Sequence, residues 1–435
     1  MIDAWLPVID KLKKTGNIEI CFIFPEPSAL ITEDNKSDLF NIAERYVDNV
    51  VYRGYSGELY TASTLIEARN GIKFSPLDEK IYSLAVRLYK GKASKFILLK
   101  YIGKFLLVLS KYIAYIKEKS SFLNPFNFEA LKFFNGVLCD ITVVNKKSNN
   151  AIMEKINFVP KFSMLHGLNA PWVEAEFNCK QSVKIKSNVT VYTASHLEAS
   201  GYNRCFGISN ENIVRAGIPR HDSAWIEFIL KQSKPSEEAF ESFVFIIGRP
   251  ASPYNTVERK REALRNIYNT ICAKYKLKLV VKTHPKESLD GVDGEIYKSA
   301  LGLENYGKDW IFSNNHPFVL GKKAIFCISF YSGVVIDMLA LKKPTIEYLN
   351  LNGLELYDNS NSLRDKNNNS VFAYRYTNLV FGASCKQDFD LHVESILTQY
   401  NAQVDRVILN YKNFYRPFDG SSKMICDDIL QKLDR

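Results

Sequence analysis

Short apolar, β-branched runs closed by turn residues alternate along this chain with stretches of helical spacing. Ile18 to Phe24 reads as a strand closed by Pro25-Glu26-Pro27. A helix near Lys36 to Tyr46, a strand near Asn49 to Arg53 and a helix near Leu59 to Arg69 follow. Lys132 to Val144 is another apolar run, and Asn145 to Asn150 a polar loop. Phe162 to Gly167 predicts a strand running into a turn, with His166 at its exit; Val189 to Thr193 predicts a further strand. Asn212 to Asp222 closes this first half, and the charged stretch Lys231 to Glu241 reads as a linker.

The second half opens on Phe243 to Ile247, a pure strand run ending at Gly248-Arg249-Pro250, and Glu258 to Tyr275 reads as a helix. Two junctions then dominate. Leu279-Val280-Val281-Lys282-Thr283-His284-Pro285 is a buried strand that stops at a His-Pro pair. Ala324 to Gly333 is a second strand, passing at Ser332-Gly333 into a helix over Val334 to Lys343 that Pro344 stops. Thr345 to Leu349 resumes as strand, and the last helix spans Met424 to Leu433. In open α/β sheets, ligands bind outside the carboxyl ends of the strands. A helix starting at Ser332-Gly333 would present backbone N–H groups and a positive dipole end there, which suits a phosphate.

Strand–helix alternation on both sides of a short linker predicts an α/β fold of the GT-B kind, two Rossmann-like domains facing each other across a cleft. The expected boundaries are 1–235 for an acceptor-side domain, 236–410 for a nucleotide-sugar domain and 411–435 for a helical extension. Phe96 to Lys117 stands apart. It has the length of a membrane span, but Lys100, Lys104 and Lys111 interrupt it, and each central lysine costs about 2.5–3.5 kcal/mol on insertion. Two readings stand: a basic amphipathic helix lying on an anionic inner leaflet, or a core helix whose lysines face water.

Length and charge narrow the function. At 435 residues the chain exceeds one ordinary core, and its net charge of +10 favours anionic partners: phosphorylated substrates, acidic glycans or a membrane surface. No nucleic-acid motif appears, so nucleic acid is not an expected partner. Eight scattered cysteines without a C-x-x-C pair predict neither disulfide framework nor structural zinc. The N-terminal residues have no secretory pattern, so the expected location is the cytoplasm, with the inner membrane face as its extension.

The residues at the junctions resemble a family. Val281-Lys282-Thr283-His284-Pro285-Lys286 resembles the His-Pro motif of bacterial GT-B transferases that use CMP-activated acid sugars, the Kdo transferases and sialyltransferases. Phe245 to Pro250 is similar to the strand-turn preceding that motif in the sialyl group. Tyr331-Ser332-Gly333-Val334-Val335-Ile336-Asp337 through Tyr348 is similar to the serine motif of both groups. This last stretch also resembles the CDP-glycerol and CDP-ribitol phosphotransferases of wall teichoic acid synthesis. With that group the resemblance extends to Leu165-His166-Gly167 and to Gly217 through Asp222. The motifs cover roughly residues 160 to 350.

The resemblance implies a glycosyltransferase that moves a 3-deoxy-ulosonic acid (Kdo, sialic or a related nonulosonic acid) from its CMP donor to a hydroxyl of a bacterial surface polysaccharide, the acceptor being an oligosaccharide or a lipid-linked glycan. It implies no cofactor and no metal, and transfer of a polyol phosphate is the alternative. His284 would meet the donor phosphate and assist departure of CMP; the plain alternative is a turn histidine. Ser329, Ser332 and Gly333 would hold the phosphate, the alternative being an ordinary helix cap. Glu347 would take the ribose hydroxyls, or else form a salt bridge. Arg249 and Lys282, with Gly248 and Pro285 beside them, would face the phosphate or the acid sugar's carboxylate. His166 is the leading general base, with Glu174 and Glu176 as rivals. Arg220, His221 and Asp222 suggest a structural polar cluster between the halves, while His196 and His316 match no motif. The Asp nucleophile of retaining Kdo transferases has no counterpart in Gly248-Arg249-Pro250-Ala251-Ser252-Pro253; inversion by direct displacement is therefore favoured. A non-catalytic glycan-binding or scaffold module is the remaining rival.

Overall fold

A computed structural model describes residues 2–16, 18–24, 30, 37–71, 80–82, 84–85, 88–89, 97–120, 123–140, 158–164, 189–232, 240–358, 362–416 and 419–434. His166, Glu174 and Glu176 lie outside the described residues, as does most of the expected linker. The chain divides into two compact units, 9–134 and a second unit formed by 1–8 with 135–435.

In the smaller unit, β1 (Cys21–Phe24) pairs in parallel with β2 (Asn49–Arg53). Here the sequence expectation needs one correction. Leu59 to Arg69 is not one helix: Leu59–Ala62 forms β3, antiparallel to β2, and the helix starts only at Leu65. The cause is the intervening turn, where Gly57 adopts φ +100° and reverses the chain. Tyr60 and Ala62 then alternate with half-buried Leu59 and Thr61, a period of two. A two-residue β4 (Asn124–Pro125) completes this sheet. The 24-residue helix Ile97–Ser120 belongs to the same unit.

The larger unit holds two all-parallel sheets. One runs β5 (Val137–Cys139), β6 (Lys161–Met164), β7 (Val189–Thr193), β8 (Ile213–Arg215) in sequence order. The other has six strands: β9 (Phe243–Ile247), β10 (Leu279–Lys282), β11 (Trp310–Phe312), β12 (Ala324–Ser329), β13 (Thr345–Tyr348) and β14 (Phe381–Ala383). Their spatial order is β11-β10-β9-β12-β13-β14. Counted from β9, that is 3-2-1-4-5-6, the doubly wound order whose topological switch point falls between β9 and β12. Every residue of β9 is buried, as a strand covered by helices on both faces requires. The expected helix over 258–275 is an α-helix to Tyr268 that continues as a π-turn to Lys274.

Residues 135–235 share a compact unit with the C-terminal sheet, and named contacts explain why. Asp222 accepts the backbone N–H groups of Ser421 and Ser422, each at 2.9 Å, capping the final helix Ser421–Leu433 from about 200 residues away. Tyr192 on β7 donates to Asp428 of that helix at 2.7 Å. Cys139, Cys272, Cys327 and Cys426 are buried and unbridged.

Candidate functional site

The register of the six-stranded sheet sets one row of residues at its carboxyl edge. Lys282 aligns with Ile247, Ile247 with Ser329, Ser329 with Glu347, and Glu347 with Gly382. Strands lie about 4.8 Å apart, so Lys282 and Ser329, with β9 between them, are about 10 Å apart at Cα. Beyond that row come Thr283-His284 after β10, Gly248-Arg249 after β9, and Tyr331-Ser332-Gly333 after β12. The structure thus ranges His284, Arg249 and Ser332 along one edge, across the switch point.

The turns after β9 and β10 rest on a closed polar network. Glu287 accepts the backbone N–H of His284 through Oε2 at 2.6 Å. Its Oε1 accepts Lys260 Nζ at 2.5 Å and the Tyr297 hydroxyl at 3.0 Å. Lys260 Nζ also donates to the carbonyl of Arg249 at 2.8 Å. Both side chains of the Lys260–Glu287 pair are fully buried. A Cβ at Gly248 would lie 2.7 Å from Glu287 Oε2 and 2.8 Å from the Tyr297 hydroxyl, so only glycine allows this approach. Gly248 therefore serves the packing of the turn. Pro285 is exposed beside it.

His284 is half-buried, and its Nδ1 accepts the N–H of Lys286 at 3.1 Å. That bond places the proton of the neutral ring on Nε2. Lys282 Nζ donates to the Asn314 carbonyl at 3.0 Å. The Arg249 guanidinium lies 5.7 Å from the Tyr254 ring and 5.9 Å from that of Tyr331, so the β9 and β12 turns touch. Tyr331 holds φ +70°, a left-handed conformation that costs a non-glycine residue about 1–3 kcal/mol. Its ring stacks on Phe372 at 4.3 Å, and that packing offsets the strain.

Ser332 Oγ accepts the N–H of Val334 at 3.4 Å, capping the seven-residue helix Val334–Ala340. Ser329 and Glu347 are buried within their strands, at 0% and 1% exposure. Glu347 pairs with Arg375 at 3.5 Å, and burial pushes its carboxyl up to about 7. Among the described residues Ser329 Oγ, Glu347 Oε2 and the Tyr374 hydroxyl are buried without a hydrogen-bond partner.

The polar cluster expected between the halves is present in part and gains two members. Arg220 Nε donates to Asp337 Oδ1 at 2.8 Å, and His221 Nε2 lies 2.8 Å from the same oxygen. Asp3 adds a second carboxylate 3.3 Å from Arg220. Burial pushes the Asp337 carboxyl up, but Arg220 and His221 outweigh it and hold the group below the ordinary range. Burial also pulls the imidazole of His221 down. His316 caps the helix Pro317–Lys323 through Nδ1. Beside this cluster, at the carboxyl ends of β6 and β7, Met164, Tyr192, Glu198 and Arg220 line a small recess. Glu198 is a capping-box residue: Ser195 Oγ accepts its N–H at 3.1 Å, and it reaches back to the N–H of Ala194 at 2.7 Å.

Sequence reasoning did not single out Lys260 or Glu287. A signal existed for each. Lys260 shares the i, i+3, i+4, i+7 stripe with buried Ala263, Leu264 and Ile267. Glu287 stands three residues after His284, the spacing of a turn cap. Asp337 lies inside the serine motif, which gives it no role of its own.

No protein-family model matches the chain, and no curated protein matches it. Solved structures do. The UDP-GlcNAc 2-epimerase of Neisseria meningitidis, solved bound to UDP-GlcNAc, superposes with TM-score 0.52 at 14% identity, covering 99% of this chain and 96% of that one. The Methanocaldococcus jannaschii UDP-GlcNAc 2-epimerase, in complex with UDP-GlcNAc and UDP, gives 0.51 at 14%, covering 100% and 96%. The fold is GT-B. At that identity the likeness speaks for architecture alone. The wall teichoic acid polymerase TagF reaches TM-score 0.41 at 15% identity over 63% of this chain and 69% of its own, too loose to argue from. Among the described residues of this GT-B chain, no group of three or more His, Cys, Asp or Glu side chains converges to hold a metal ion.

Proposed function

We propose that this protein is a GT-B transferase of surface polysaccharide synthesis that takes a cytidine-nucleotide-activated donor and releases CMP in the cytoplasm. The first reading of the donor is a CMP-activated 3-deoxy-ulosonic acid. One observation supports it most: His284, Arg249 and Ser332 stand along one carboxyl edge at the switch point of a 3-2-1-4-5-6 sheet. His284, donating from Nε2, neutralises the charge that builds on the departing phosphate. Arg249 meets the phosphate or the carboxylate of the acid sugar. His166 takes the proton of the acceptor hydroxyl, with Glu174 and Glu176 as rival bases. With no carboxylate between Gly248 and Pro253, the donor carbon inverts by direct displacement.

A specific contact favours the second reading, polyol-phosphate transfer from CDP-glycerol or CDP-ribitol. Two stretches of that resemblance, Gly217 to Asp222 and Tyr331 to Asp337, bond to each other through Arg220, His221 and Asp337. A donor panel separates the readings. CMP released from CMP-Kdo or CMP-sialic acid, with a matched polysaccharide acceptor, supports the first, and CMP released from CDP-glycerol supports the second. Conversion of UDP-GlcNAc to its 2-epimer, with both cytidine donors inert, overturns both.

A further inference from the structure

The helix Ile97–Ser120 turns its faces the opposite way from a core helix. The side toward its own unit carries Gly103, Ser110, Ala114 and Glu118, all buried. A Cβ at Gly103 would lie 2.5 Å from the backbone nitrogen of Tyr89, so the chain approaches closely there. Glu118 accepts the Tyr60 hydroxyl at 2.9 Å and also bonds Ser56. These contacts fix the rotation of the helix about its axis. The opposite side presents Leu98, Tyr101, Phe105, Val108, Tyr112 and Ile116, each more than half exposed. They recur every three or four residues and form one continuous stripe. Lys100, Lys104 and Lys111 are exposed along one flank of it. The helix has a single carboxylate, Glu118, and it is buried.

We propose that this face docks on an anionic phospholipid bilayer. The apolar stripe would sit at the boundary of headgroups and acyl chains, with the lysines reaching lipid phosphates and the tyrosines at the headgroup level. Charge selects this occupant. A second copy of the helix would set lysine against lysine with no carboxylate to answer, whereas an anionic leaflet answers all three. Crossing the bilayer is a different matter: among the described residues no helix is long and apolar enough for it. The proposal stands independently of the transferase reading.

The test uses the full chain and vesicles of phosphatidylcholine alone or with roughly one-third phosphatidylglycerol, at low salt. Co-flotation with the anionic vesicles is expected, falling as salt rises. Lys100→Gln, Lys104→Gln and Lys111→Gln together should weaken it by about a hundredfold, at about fivefold per lysine. Leu98→Glu with Phe105→Glu should abolish it. A milder variant guards against misfolding: in Tyr112→Trp, brominated acyl chains should quench a fluorescence component absent from wild type. Failure of wild type to float, binding unchanged in both polar variants, or a dimer that Phe105→Glu dissolves would each overturn the proposal.

Discussion

The two pairs of turns at the carboxyl edge of the six-stranded sheet are supported in opposite ways. Beneath the turns after β9 and β10, Lys260, Glu287 and Tyr297 form a closed set in which the buried charges meet each other and the backbone of Arg249 and His284. Beneath the turns after β12 and β13, Ser329, Glu347 and Tyr374 keep unanswered polar atoms, and Tyr331 holds a strained backbone. A satisfied network fixes geometry; an unsatisfied one leaves hydrogen-bonding capacity unspent. The His284 side is thus built as a rigid wall, and the Ser332 side holds the capacity to rearrange.

The sharpest way to break this contrast is to open the closed network. Lys260→Met should leave Glu287 charged, buried and without its cation, costing about 3–5 kcal/mol in urea unfolding. Adding Glu287→Leu should recover most of the loss, because removing both charges also removes the uncompensated one. A single variant within 1 kcal/mol of wild type would show that the pair does not hold the wall.

His284→Ala comes next. It leaves Glu287 bonded to the backbone N–H, so stability should change little while turnover falls by about 10²–10⁴-fold. Equal losses in unfolding free energy and turnover would instead make the ring a turn brace.

On the other side, Glu347 tests the unspent capacity through pH. Burial raises its carboxyl to about 7, so the folded state binds this proton more tightly than the unfolded chain does. The stability it contributes is present at low pH and is lost as pH rises from the ordinary carboxylate value through about 7. Glu198 acts in the same direction. Glu347→Gln should flatten the decline and raise stability at pH 8 by up to roughly 3 kcal/mol. A melting profile with the same slope in the variant would place the ion pair with Arg375 above the burial cost.

How much of this was legible in the chain follows from what each residue's pattern encodes. Phe243–Ile247 stands where expected because a strand buried on both faces reads as a near-continuous apolar run, and Val189–Thr193 because its residues are all β-branched or aromatic. Leu59–Ala62 was read as helix because four residues of alternation are outweighed by the helical stretch after them, and Gly57 is the local clue. The edge carrying His284 and Ser332 was readable from strand-end residues. The depth of Ser329 and Glu347 was not, because a polar residue inside a strand looks the same above or below a sheet's surface. Helix 97–120 left two readings because composition gives the stripe but not the direction it faces. That direction is set by Gly103 and Glu118, whose partners lie elsewhere in the unit.

Ser332 gives the smallest effect and the finest cut. Its hydroxyl accepts the N–H of Val334 at 3.4 Å, a long bond in a helix of only seven residues. As a cap alone, Ser332→Ala should cost about 1 kcal/mol and leave kinetics untouched. If the hydroxyl also meets donor phosphate, the donor Michaelis constant should rise with little change in kcat, since ground and transition states lose the contact alike. Ser332→Thr separates the two, because it keeps a hydroxyl for both roles but adds a methyl in a site only 6% exposed. Normal stability with a raised Michaelis constant in that variant would mean that the space around the hydroxyl belongs to the ligand. Lost stability with unchanged kinetics would return it to the helix.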